Sequence, residues 1–130
     1  MTSKIDWSCW EQALTWVEAQ ASDISGGGMR IAGADESISV GSILLIRIRR
    51  FRQEGLPEYV FAVCRRVLTE KEEKSLGLEF VLVDRLEQLA SVPLPAALPP
   101  ALTRFNHAAQ NKLVVWIFNR QIALRQKGLL

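Results

Sequence analysis

Apolar residues fall into short alternating runs through most of the chain and into one long uninterrupted stretch near its end. The clearest alternation covers Gly41–Arg52. There Leu44, Ile46 and Ile48 take one face and Arg47 and Arg49 the other, so the spacing predicts a strand. Gln53-Glu54-Gly55-Leu56-Pro57 has the composition of a turn, and Tyr59–Leu68 returns as a second strand, which makes a long hairpin. Thr69–Lys74 reads as a charged turn into a third strand, Leu76–Val83. This strand is apolar on both faces, so it is expected to be covered on both, by a barrel interior and by a helix. Upstream, Val17, Ala19 and Ala21 precede a glycine-rich bend, and Met29 and Ile31 follow it. That is the pattern of two strands, Thr15–Asp23 and Met29–Ala32, joined by a turn.

The ends of the chain read differently. Trp7, Trp10, Leu14 and Val17 have helical spacing, with Asp6 as a candidate N-cap. The first 14 residues are therefore either a short helix or an extended arm running into the strand that starts at Thr15. Asp84–Ala90 has helical composition, and Ser91–Pro100 holds every proline but Pro57, which marks a linker. From Thr103 to Lys127 nothing breaks a helix, with Thr103 or Asn106 as cap and Gly128 as stop. Its run Leu113–Phe118 is apolar throughout, so burial on more than one side is expected, against the barrel and against another chain. Leu113, Trp116, Ile117 and Phe118 are the candidate contact face for an effector or a second copy. The division that results is an arm or short helix at 1–14, a β-barrel at 15–90, a Pro-rich linker at 91–102 and a helix at 103–128.

Composition narrows the class without choosing a function. With 130 residues, 48% hydrophobic and 23% charged, the chain is long enough for one domain with its own core. A net charge of +2 is too small to argue for nucleic acid or a membrane surface. Cys9 and Cys64 have no paired spacing and read as small hydrophobes in a reduced, cytoplasmic compartment. No apolar run is long enough to span a bilayer. The sole histidine, His107, has no nucleophile beside it, no metal-ligand cluster is apparent, and no phosphate loop of the GxxxxGK type occurs. No catalytic residue, metal or cofactor is assigned, and an enzyme is not expected.

The candidate chemistry lies in Ser22-Asp23-Ile24-Ser25-Gly26-Gly27-Gly28-Met29-Arg30. Asp23 and Ser25 are two apart, so an extended chain presents both side chains on one face. Three glycines are expected to adopt positive φ and let backbone amides approach a ligand. An ionised aspartate accepts hydrogen bonds from the N–H edge of a guanine. The reading without a ligand is a tight hairpin turn with an Asx-type hydrogen bond. The pattern Asp23-x-Ser25-x-x-Gly28 followed by an apolar strand resembles the second signature of the PilZ domain, the bacterial receptor for cyclic di-GMP. Leu76-Gly77-Leu78-Glu79-Phe80 resembles that family's last barrel strand, and Trp116–Gln121 is similar to the terminal helix of its flagellar-brake type. The resemblance implies a six-stranded antiparallel split barrel with a C-terminal helix. It also implies a non-enzymatic signalling role in motility or biofilm control. Asp23, Ser25 and Gly28 would then form the ligand site, with Arg30 reaching a phosphate.

One departure bears on function. Family members that bind cyclic di-GMP carry an Arg-x-x-x-Arg pair upstream of this turn, whereas here no arginine precedes Asp23 and no two arginines stand four apart. Guanidinium forks bind guanine bidentately at about 1–3 kcal/mol each, so losing two weakens binding by roughly ten- to ten-thousand-fold. Either the domain has given up the nucleotide, or the pair is supplied from elsewhere, or other cations compensate: Arg30, or a basic ribbon of Arg47, Arg49, Arg50 and Arg52 with Arg65 and Arg66. Strand arginines of this kind usually pair with acids such as Glu79. The alternative function is a PilZ-like module for protein interaction or oligomerisation without nucleotide. DNA or RNA binding through the ribbon is not expected, given the acids nearby.

Overall fold

Strand β4 (Ile43–Arg47) sets the architecture, because Ile43, Leu44, Leu45 and Ile46 are all buried and neither of its faces meets water. The computed structural model describes residues 3–9, 17–32, 38–70, 73–82, 85, 102, 104–126 and 128. Strands β1 (Ser3–Cys9), β2 (Val17–Ser22), β3 (Gly28–Ala32), β5 (Tyr59–Glu70) and β6 (Glu73–Val81) join β4 in a closed antiparallel barrel of order β1-β2-β3-β6-β5-β4. The mainly-β class and the terminal helix are as expected. Of the two alternatives for residues 1–14, a short helix or an extended arm, Ser3–Cys9 takes the extended form as a barrel strand, while Trp10 and Leu14 lie outside the described residues. β1 pairs with β2 on one side and with β4 on the other, Trp7 opposite Ile46, so it supplies the backbone partners β4 would otherwise lack.

The two faces of β4 feed separate clusters. Leu44 and Ile46 enter the main core with Ile31, Val60, Ala62, Cys64, Leu76 and Leu78. Ile43 and Leu45 join Phe61, Val63 and Val81 on the outside of the barrel, with Tyr59 and Leu102 packed over them. The alternation expected to run to Arg52 stops at Arg47, whose Nε donates to Glu58 at 2.9 Å. Helix α1 (Arg49–Gln53) follows. The reason is packing: Ile48 and Phe51 are both buried, and residues three apart share a face on a helix but not on a strand. The helical stretch expected at 84–90 and the linker at 91–102 lie outside the described residues except for Arg85 and Leu102.

Helix α2 (His107–Gln126) lies on the main core. Asn106 is its cap, accepting the Ala109 N–H at 2.9 Å, and Gly128 at φ 71° follows its end. Leu113 is fully buried, Trp116 meets Phe51 edge-to-face at 5.9 Å, and Ala109 and Ile117 pack on the same cluster. Beside them, Phe105 meets Phe80 edge-to-face at 5.5 Å. The contact face expected at Leu113, Trp116, Ile117 and Phe118 is therefore corrected. Leu113 is used within the chain, Trp116 and Ile117 are half-buried against the core, and the exposed apolar stripe of the helix is Val114, Val115, Phe118 and Ile122. Helical geometry makes the division, since 113, 116 and 117 share one side while 114, 118 and 122 share another.

Close approach fixes how β3 enters the sheet. Gly28 stands opposite Glu79, and a Cβ on it would run into the carbonyl oxygen of Leu78. Gly28→Ala should therefore destabilise the fold by about 2–4 kcal/mol in urea unfolding. Leu113→Ala should cost about 2–5 kcal/mol, whereas Phe118→Ala, at a position 60% exposed, should stay within about 0.5 kcal/mol. Equal losses at both positions would contradict the orientation of α2.

Candidate functional site

The bend between β2 and β3 runs from Asp23 to Gly27, and its backbone differs from the expectation for a glycine turn. None of Gly26, Gly27 and Gly28 has positive φ, whereas Asp23 does, at 51°. Aspartate is among the residues that tolerate the left-handed region, and such conformations cluster at ligand sites. The glycines serve space instead. Gly28 admits the Leu78 carbonyl, Gly26 admits the Val114 side chain, and a Cβ on Gly27 would meet nothing within 4 Å.

Internal hydrogen bonds hold the bend. The Ser25 N–H donates to the Gly28 carbonyl at 2.9 Å, and the Ser25 hydroxyl donates to the same oxygen at 3.3 Å. The Gly27 N–H donates to Ser25 Oγ at 3.3 Å, so that glycine amide is already engaged. The Phe80 N–H donates to the Gly27 carbonyl at 2.8 Å, tying the bend to β6. Gln110 of α2 donates through Nε2 to the Gly26 carbonyl at 3.0 Å. Part of the structural reading is thus observed, with Ser25 rather than Asp23 closing the turn. Among the described residues no hydrogen bond or ion pair engages the Asp23 carboxylate, and the side chain is exposed.

Asp23, Ser25, Gly28 and Arg30 line one concavity of about 490 Å³. All four sequence-predicted site residues therefore come together, although the left-handed Asp23 breaks the extended geometry that the two-residue spacing assumed. The opposite wall consists of Arg65, Arg66, Leu68, Gly77 and Glu79. Arg65 Nε donates to Glu79 at 3.1 Å with both side chains about half exposed, the cross-strand pairing expected of strand arginines. Arg66 sits beside a bulge between Cys64 and Arg66, where the Cys64 thiol donates to the Arg66 carbonyl at 3.5 Å. Burial pushes that thiol above its ordinary value, in keeping with a core residue rather than a reactive one. In the sequence, the bulge is signalled only by two successive arginines interrupting an otherwise apolar strand.

The other cations lie elsewhere. Arg47 is bonded to Glu58, and Arg49, Arg50 and Arg52 belong to α1 rather than to a strand, so the basic ribbon is not one surface. Arg50 and Arg120 each lie over the Trp116 ring, at 5.6 and 5.9 Å. His107 is exposed in the first turn of α2, 3.4 Å from Asn111. Among the described residues no group of histidine, cysteine or carboxylate side chains has metal-site geometry. No described helix is long and apolar enough to cross a membrane.

Comparison with known proteins adds a family. Among solved structures, the inhibitor of motility MotI/DgrA of Bacillus subtilis is similar, with a TM-score of 0.57 and 21% identity. The alignment covers 96% of this chain and 49% of that one, so this chain spans about half the neighbour's length, and at this identity the likeness is one of fold. No curated protein matches. The family model of the PilZ domain matches residues 9–92, a stretch holding the bend and five of the six strands in full. With that match over well more than half of its length, the chain belongs to the PilZ domain family.

Proposed function

We propose that this chain is a non-enzymatic signalling domain that takes cyclic di-GMP at the β2–β3 bend and passes its state to another protein. The observation that carries the reading is the convergence of Asp23, Ser25, Gly28 and Arg30 on a single concavity in a PilZ-family barrel. Asp23 accepts from the guanine N–H edge, and Ser25, which has a second acceptor lone pair left, adds a hydrogen bond. Gly28 lets β3 start close against β6, and Arg30 reaches a phosphate oxygen. The volume suits a small ligand, in the roughly 300–1,000 Å³ range of such clefts. Residues 1–22 hold no arginine, so Asp23, Ser25, Gly28 and Arg30 by themselves hold the dinucleotide more weakly than a site joined by an arginine pair. In this reading no cofactor is involved and the domain works in the cytoplasm.

The route outward is α2, because its Gln110 and Val114 touch Gly26 of the bend. A second reading, an interaction module without nucleotide, is favoured by the exposed stripe Val114, Val115, Phe118 and Ile122, which is apolar enough to want a partner.

Calorimetric titration separates the two. The first reading predicts saturable heat with cyclic di-GMP and affinity at least tenfold weaker for Asp23→Asn, about the 1.4 kcal/mol of one good polar contact. Asparagine keeps the left-handed backbone, so that variant tests the carboxylate rather than the turn. A wild-type chain giving no heat up to millimolar dinucleotide leaves the interaction module as the function.

A further inference from the structure

The register of the sheet places three residues in one row across three strands. Arg30 of β3 is opposite Gly77 of β6, and Gly77 is opposite Arg66 of β5. With neighbouring strands about 4.8 Å apart, the two arginine backbones stand roughly 10 Å from each other with a glycine between. Gly77 has no side chain to fill the gap, and both arginine side chains are exposed on the outer face. The row is therefore a slot walled by two guanidinium-bearing chains and floored by backbone.

Three observations make this slot part of a ligand site. All three residues line the same concavity as Asp23 and Ser25. The acid in that wall, Glu79, is engaged with Arg65, and among the described residues neither Arg30 nor Arg66 has an acidic partner. The register shift at Cys64/Arg66 turns two successive residues, Arg65 and Arg66, outward, which an unbroken strand does not do. One of the pair satisfies Glu79, and the other lines the slot.

We infer that Arg30 and Arg66, across Gly77, grip the phosphodiester of a guanine-bearing dinucleotide and supply positive charge to it from the barrel wall. The inference rests on the proposed ligand class and adds to it the residue Arg66 and the slot. Two guanidiniums converging on one phosphodiester make charge-assisted hydrogen bonds from both sides. Binding through them weakens with ionic strength, since the site is open to solvent. Asp23, which follows the Ser22 that pairs with Arg30, then reads the base beside the slot.

The test is calorimetric titration of the whole chain with cyclic di-GMP at two salt concentrations. The variants are Arg66→Gln, Gly77→Val, Asp23→Asn and, as a charge control on α2, Arg125→Gln. Circular dichroism checks that each is folded. Gly77→Ala, whose Cβ would stand a tight 3.3 Å from Arg66 Cβ, is the smaller filling and stands in if valine is not tolerated. The expected result is binding at least roughly tenfold weaker for Arg66→Gln and for the filled slot, a flatter salt dependence for Arg66→Gln, and no change for Arg125→Gln. Wild-type binding that is lost in Asp23→Asn but unchanged in Arg66→Gln overturns the slot and leaves the proposed ligand standing. No wild-type binding up to millimolar dinucleotide overturns both.

Discussion

At Gly28 the chain enters β3 so close to the Leu78 carbonyl that no side chain fits, and this approach governs what the rest of the site can be. It holds Gly28 against Glu79, and counting on by strand pairs puts Met29 against Leu78 and Arg30 against Gly77. Since successive residues of a strand face opposite sides, Met29 and Ile31 are sent into the core and Arg30 outward. A shift of one residue would bury the arginine and expose the isoleucine. The hydrophobic pattern of β3 and the missing Cβ of Gly28 thus enforce the same register. The polar wall of the concavity is a consequence of how the barrel is sealed.

Helix α2 is joined to that same bend by more than chain connectivity. Its buried side rests on Phe51 and the barrel core through Trp116 and Leu113. Polar contacts hold two separate turns: Gln110 donates to the Gly26 carbonyl, and Lys112 donates to the Gly55 carbonyl at 3.0 Å. A ligand that reshaped the bend would alter the Gln110 and Val114 contacts with Gly26 before it altered any core packing. The exposed stripe on α2 begins at Val114 itself, so the residue touching the bend also belongs to the surface a partner would meet. This short path is a physical means of coupling the bend to the exposed surface of α2.

Much of this was legible in the sequence wherever local rules and tertiary demands agreed. The return strand at Tyr59, the cap at Asn106 and the grouping of Asp23, Ser25 and Gly28 all follow from patterns within a few residues. The misreadings have physical causes. The spacing that starts at Trp7 left a short helix open beside an extended arm, but β4 takes Ser3–Cys9 as a second backbone partner, and that demand is invisible in a local window. Ile48 and Phe51 required a helical turn, yet the alternation before them continues through Arg49 as though the strand went on. The left-handed residue of the bend is Asp23 rather than a glycine, and Gly26 and Gly28 instead admit distant segments, Val114 and Leu78. Arg66 was grouped with a basic ribbon rather than with Arg30 for a related reason: its direction is set by a bulge, and its row with Gly77 and Arg30 exists only once three strands are in register.

The central claim is that the β2–β3 bend and the β3–β6–β5 face form one ligand surface. Amide-resolved NMR of the labelled chain during addition of cyclic di-GMP tests it most directly. The account predicts that the largest shifts fall at residues 23–30, 66 and 77, with smaller ones reaching Gln110 and Val114. Shifts centred instead on α1, with the bend unmoved, would contradict it.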